Sequence, residues 1–340
     1  ERRLALQYGK ARRETAPVFR PYVNALQEFT LRGGKRFRAL LLLGGYWIAS
    51  GRSPLPAMDA AAALEHFQSW MLVHDDIIDH ADTRRGGPTL HRVFESAHRG
   101  EKWAGDAAQF GVGIGITLGD LEEPFTVSGL LDCPGPAARR LAAVAEYVQM
   151  TRQTAYGQLL DIRNGARPVE EVRERDVLTV HRLKSAYYTV SSPLRIGAIL
   201  GGAGPSMLAD MESIGVDFGV AFQLRDDVLG AGFDSGAAGK SANDIVEGKR
   251  TLLVVKAWER GDASQREQLA AVLGNPSASP TAIEAAREVI RATGSLRYSE
   301  RRIAALSARA RQRLASSQGI RPEARPLLTE IGDKLLFRAA

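Results

Sequence analysis

From residue 16 onward, apolar positions recur at three- and four-residue intervals through one segment after another, the repeat that lays one stripe of a helix against a core. The pattern predicts helices over 16–30, 35–50, 56–79, 103–120, 136–163, 176–201, 206–230, 251–260, 279–293, 296–317 and 322–338. Strand-like alternation bounded by turn residues is hard to find. The expected fold is all-α, a bundle of roughly ten or more helices around a central cavity. The breaks between segments are short and polar, and no repeat of fixed period is visible. One domain over 1–340 is expected, with residues 1–15 fraying at the start.

Composition narrows the class. The 340 residues hold 45 Lys+Arg against 39 Asp+Glu, a net charge of +6. These charges are dispersed rather than gathered in basic runs, which argues against a nucleic-acid-binding chain. A single cysteine, Cys133, excludes an intrachain disulfide and suits a reducing cytoplasm. No apolar run approaches the length of a membrane span, and the first residues lack a signal-peptide core, so a soluble chain is expected.

Chemistry enters where the apolar stripes end. The segment Ala60 to Asp79 is mostly apolar until HDDIID, and RR follows at Arg84 and Arg85. Gln68, Met71, Leu72, Asp75 and Asp79 fall on one helical stripe. Carboxylates at a helix C-terminus oppose its dipole, and neighbours about 4 Å apart repel by roughly 4 kcal/mol at an effective dielectric of 20. Either salt bridges to Arg84 and Arg85 or oxygen-ligated divalent cations must offset this.

A second segment, Gly215 to Gly230, ends in the same way. Gly215, Gly219, Gln223 and Asp227 recur every four residues, with Asp226 beside the last. Two acid-tipped helices facing one cavity would form a cage for magnesium, which takes a few carboxylates and completes its shell with substrate phosphate. Candidate anion-binding groups accompany them: Lys35 and Arg38 at a probable helix start after Gly33 and Gly34, Arg84 and Arg85, Lys184, Lys240 and Lys249.

Together, DDIID at 75–79 with RRGGPTLH at 84–91, FQLRDD at 222–227, GGKRFR at 33–38, LKS at 183–185 and GK at 239–240 and 248–249 resemble the motifs of the trans-type polyprenyl (isoprenyl) diphosphate synthases, most like geranylgeranyl and farnesyl diphosphate synthases. The resemblance runs from about residue 20 to 338. It implies an all-α isoprenoid synthase fold, a homodimer, a cytoplasmic setting and a prenyltransferase that joins isopentenyl diphosphate head-to-tail to an allylic diphosphate.

It further implies that Asp75, Asp76, Asp79, Asp226 and Asp227 hold three magnesium ions. Arg84, Lys184, Lys240 and Lys249 would bind the allylic diphosphate, with Ser185 and Gln223 as further substrate-binding residues. Lys35, Arg38, Gln68 and Arg85, with Arg338 near the end, would bind isopentenyl diphosphate. Ser185 and Tyr188 are candidates to face the carbocation, while His66 and His74 read as structural. Trp70, about 7.5 Å below Asp75 along the helix, and Met71 beside it would set product length. An aromatic at the first and none at the second points to geranylgeranyl diphosphate, with farnesyl diphosphate as the alternative.

Four departures stand out: Ala39 for proline, Gln68 for histidine, Ser185 for threonine, and Gly230 for the last acid of the second cluster, with Asp234 as a candidate replacement. A class I terpene cyclase and a noncatalytic synthase subunit are the rival readings. The cyclase lacks its second metal motif here, and the subunit is suggested by Gly230 alone.

Overall fold

A computed structural model describes residues 1–233 and 243–336, and these are almost wholly helical. They form two compact units, Glu1–Ala145 with Ile196–Gly202, and Glu146–Arg195 with Ala203–Ala340. The chain passes between the two units three times, so they are not successive domains on a linker.

The first unit contains α1 (Arg2–Glu14), α2 (Arg20–Leu31), α3 (Phe37–Ser50), α4 (Met58–Ile78), the hairpin β1 (Thr83–Arg84) and β2 (Gly87–Pro88), α5 (Leu90–Gly100), α6 (Ala107–Leu131) and the start of α7 (Ala137–Ala166). Every residue of α4 from Ala60 to Ser69 is buried, which makes it the central helix of its unit. Its run of alanines lets α6 lie close along it. Tyr8, Leu26, Phe29, Val73, Leu90, Phe94 and Leu118 form the apolar cluster beneath the end of α4.

Three departures from the predicted elements have local causes. The opening residues do not fray but form α1, which buries Leu4 and Tyr8 one turn apart. The Tyr8 hydroxyl bonds Glu122 and Thr30, and His66 bridges Glu122 and Gln7, so buried polar groups tie the helix down. α5 is short, with Leu90, Phe94 and His98 buried at four-residue steps among polar residues. α6 continues past 120 through Pro124, which costs only the bond to the carbonyl of Asp120, a residue on the exposed side.

The second unit contains the rest of α7, α8 (Glu174–Val180), a π-helix over His181–Ser191, the start of α9 (Ser192–Gly201), α10 (Pro205–Gly230), α11 (Asn243–Val246), α12 (Leu252–Arg260), α13 (Ala263–Ala270), α14 (Pro280–Ala292), α15 (Ser295–Ser316) and α16 (Arg325–Leu336). α10 packs against both the π-helix and α15. The four-residue stripe on α10 is the seam of the first of these contacts. A Cβ on Gly215 would stand 2.6 Å from Ser191 Cα, and one on Gly219 would stand 2.6 Å from Ala186 Cα. Glycine is required there because two backbones touch.

Candidate active site

In the first unit, the last turn of α4 separates its acids by burial. Asp76 is 1% exposed, Asp75 is half-buried and Asp79, at the C-cap, is exposed. Successive residues on a helix point about 100° apart, so one acid of an adjacent pair faces the packing while the other faces away. The RRGG segment supplies the partner for the buried one. Arg85 and Gly86 both take positive φ, 51° and 75°, the backbone of a two-residue type I′ hairpin turn.

That turn delivers the Arg84 side chain, whose Nε donates to Asp76 Oδ1 at 2.7 Å. The other carboxylate oxygen, Oδ2, is buried without a hydrogen-bond partner. Burial raises the Asp76 pKa despite Arg84, and the neighbouring Asp75 and Asp79 add to the rise. Next in the turn, Arg85 donates to the Gly33 carbonyl oxygen at 3.1 Å.

Gly33, Lys35, Arg38, Gln68 and Arg85 therefore all belong to this unit, but one expected detail changes. α3 begins at Phe37, so Lys35 precedes the helix and shares no helical face with Arg38. The cause is Arg36, held in a left-handed conformation while its guanidinium donates to Glu65 at 2.8 Å and to the Thr30 carbonyl at 2.9 Å. Lys35 is exposed and Gln68 is buried.

One turn further down α4, Trp70 meets Phe67 and His74 edge to face, at ring-centroid separations of 5.7 and 6.2 Å. His74 Nε2 in turn bonds the Ile116 carbonyl at 3.2 Å. The indole is thus held in place from both sides, and Met71 beside it is half-buried. Both histidines read as structural, His66 and His74, are occupied by protein groups.

In the second unit a cavity of about 140 Å³ is lined by Asp161, Asn164, His181, Lys184, Ser185, Gln223, Asp226, Asp227, Asp244, Lys249, Arg250 and Thr251. Lys184 Nζ donates to Asp161 Oδ2 at 2.7 Å. Gly157, one turn before Asp161, lets the π-helix backbone approach α7, because its Cβ would stand 2.2 Å from Lys184 N. Lys249 pairs with Asp244 at 2.8 Å and Glu247 at 2.9 Å. Burial works against the Lys249 ammonium, yet these two carboxylates outweigh it and raise its pKa.

The acids of α10 divide as those of α4 do. Asp227 is buried, its Oδ2 lying 2.8 Å from His181 Nε2 and its Oδ1 accepting from Gln223 Nε2 at 3.2 Å. Burial pushes its carboxyl well above the usual carboxylate range and pushes His181 down to about 4. Asp226 is half-buried at the cavity wall. Asp227 and Gln223, expected as a metal ligand and a substrate contact, bond each other here at the end of the packing seam.

The gap left by Gly230 is also accounted for. A Cβ there would lie 1.9 Å from Asp244 Oδ2, so the Asp244 carboxylate occupies the space that a longer residue 230 would need. Lys240, Asp234 and Arg338 lie outside the described residues. Asp161, His181 and Asp244 were not anticipated from sequence. The first follows Gly157 at four residues and the second precedes Lys184 at three, spacings that could have placed both beside the lysine.

Among the described residues no three His, Cys, Asp or Glu side chains converge as a metal-holding group. The half-buried Asp75 and Asp226 and the exposed Asp79 offer oxygen ligands only. Such a donor set fits a hard cation that draws its remaining ligands from phosphate and water.

Residues 20–290 match the sequence profile of the polyprenyl synthetase family. The chain belongs to that family. It is 31% identical to a geranylfarnesyl diphosphate synthase of Aeropyrum pernix over 90% of this chain and 91% of the relative. A geranylgeranyl diphosphate synthase of Methanosarcina mazei is 32% identical over 84% and 81%. Among solved structures, a geranylgeranyl pyrophosphate synthase from Corynebacterium glutamicum, complexed with isoprenyl diphosphate and magnesium, superposes with a TM-score of 0.88 at 35% identity. That likeness covers 99% of this chain and 97% of the other. The all-α isoprenoid synthase fold and the prenyltransferase class are those of the family. No described helix is long and apolar enough to cross a membrane.

Proposed function

We propose that this prenyltransferase condenses isopentenyl diphosphate with an allylic diphosphate and releases geranylgeranyl diphosphate. The observation that carries the reading is the repeated arrangement at two helix ends: half-buried or exposed carboxylates (Asp75 and Asp79, and Asp226) close in sequence or in the cavity wall to the cations Arg84 and Lys184. Family membership supplies the reaction class, and the similar synthases of known product narrow it to short chains.

In the reaction the allylic C–O bond breaks, the double bond of isopentenyl diphosphate forms the new C–C bond, and the departed diphosphate takes the proton that is lost. Asp75, Asp79 and Asp226 would hold magnesium, taken as three ions on the family resemblance, which would supply positive charge against the leaving diphosphate. Arg84, Lys184 and Lys249 would bind the same group, exchanging their present carboxylate partners for phosphate oxygens, and Lys240 would join them. Lys35, Arg38, Gln68 and Arg85 would bind isopentenyl diphosphate. The apolar wall keeps water from the cation, and Ser185 and Tyr188 face it with their dipoles.

Trp70, clamped by Phe67 and His74, is the residue we assign to limit chain growth, with Met71 beside it. A homodimer is part of the proposal, supported by exposed Leu141, Val148, Tyr156, Leu159 and Ile162 along α7, an apolar stripe that water alone would not favour. The lone cysteine keeps the cytoplasm as the proposed setting. The test is incubation with labelled isopentenyl diphosphate, magnesium and allylic primers of several lengths, with chromatography of the products. A twenty-carbon product from the purified chain supports the reading. No condensation product would sink it in favour of the noncatalytic subunit, and a cyclised hydrocarbon from one substrate would favour the terpene cyclase.

A further inference from the structure

His181 belongs to no motif singled out in the sequence, yet it sits at the junction of the two elements that carry the second unit's candidate groups. It opens the π-helix that bears Lys184 and Ser185, and it is 5% exposed. Its Nδ1 lies 3.0 Å from the Val177 carbonyl oxygen, which can only accept. Nδ1 therefore carries a proton, and the neutral ring presents Nε2 as an acceptor. Nε2 lies 2.8 Å from Asp227 Oδ2, while Asp227 Oδ1 takes the Gln223 amide at 3.2 Å. The carboxyl of Asp227 is fully used by protein groups and closes the seam begun by Gly215 and Gly219.

We infer that His181 and Asp227 are positioning residues: their hydrogen bond fixes the π-helix on α10, and so sets Lys184 relative to Asp226. Asp227 contributes a hydrogen-bonding shape here, whereas Asp226 contributes charge to the ligand. This rests on the proposed function and refines it, since two adjacent aspartates of one motif are given different work.

Isosteric variants separate the two roles. In Asp227→Asn the amide N–H donates to His181 Nε2 and the amide oxygen still accepts from Gln223, so every bond of the pair persists. In Asp226→Asn a charge is lost with no such compensation. The first readout is magnesium-dependent binding of inorganic diphosphate by calorimetry, and the second is the split between kcat and KM. Asp227→Asn is expected to bind diphosphate within about threefold of wild type, and Asp226→Asn to lose about a hundredfold or more.

His181→Ala, which strands a buried carboxyl, is expected to weaken binding about ten- to hundredfold and to lower kcat, while His181→Gln, which keeps an acceptor, the amide oxygen, near the Nε2 position, recovers most of the loss. Loss of binding in Asp227→Asn equal to that in Asp226→Asn would overturn the inference by making Asp227 a ligand. Failure of His181→Gln to exceed a folded His181→Ala variant would overturn it too. If wild type itself binds no diphosphate with magnesium, the functional reading falls first and takes this inference with it.

Discussion

The end of α4 and the end of α10 solve one electrostatic problem with different partners. Each carries adjacent aspartates, and in each the helical turn sends one acid into the packing while its neighbour stays half-buried. At α4 the buried acid, Asp76, meets the guanidinium of Arg84, a side chain one-third exposed on a hairpin. At α10 the buried acid, Asp227, meets the imidazole of His181 inside the fold. A charged partner makes the first pair depend on the carboxylate charge. A buried imidazole ties the second to the hydrogen bond that joins the π-helix to α10. Spacing in a motif thus fixes which residues are neighbours, while the partner of each decides what it contributes.

The largest effects should come from the half-buried acids. Asp75→Asn and Asp226→Asn are each expected to cut turnover about 10²–10³-fold, the scale of removing one preorganised electrostatic contribution, measured as kcat/KM for condensation. Activity retained within tenfold in either would break the parallel between the two ends.

Next is Asp76→Asn, which leaves the partly buried Arg84 without its counter-charge. A stability loss of about 1–3 kcal/mol is expected in denaturant unfolding, and a larger loss than Asp227→Asn shows in the same assay. Equal losses would remove the distinction between charged and neutral partners.

A smaller, sharper effect concerns the acid that α10 lacks. Restoring it as Gly230→Asp should not help, because the new side chain meets the carboxylate of Asp244. About 1–3 kcal/mol of destabilisation is expected from the overlap, with added like-charge repulsion, and a raised midpoint would contradict it. Least of all, Cys133 should report only on the apolar side of the first unit. Burial pushes its thiol up to about 11, so the thiolate is scarce at neutral pH and alkylation should be slow until the chain unfolds. Rapid labelling of the native protein at pH 7 would show the site to be open.

Much of this was legible in advance because it follows from periodicity. The long apolar segments fold as predicted, and α4 ends in its acids where the stripe said it would. What could not be read is which neighbour claims each group. The stripe of Gly215, Gly219, Gln223 and Asp227 was visible, but periodicity cannot tell a face that lines a cavity from a face pressed against another backbone. Lys35 lost its helical position to Arg36, whose left-handed turn depends on Glu65, 29 residues away. α1 was hidden by its arginines, since the burial of Tyr8 rests on Glu122 and Thr30 from distant elements. Asp161, His181 and Asp244 are ordinary residues in sequence and acquire meaning only through the lysines and the aspartate they hold.

The central claim, that the acids at the end of α4 and at the end of α10 are needed to hold magnesium-bound diphosphate, is tested most directly with Asp75→Asn and Asp226→Asn, read as magnesium-dependent affinity for inorganic diphosphate. The account predicts that each variant binds about a hundredfold or more weaker than wild type. Affinity kept within tenfold in either variant would contradict it.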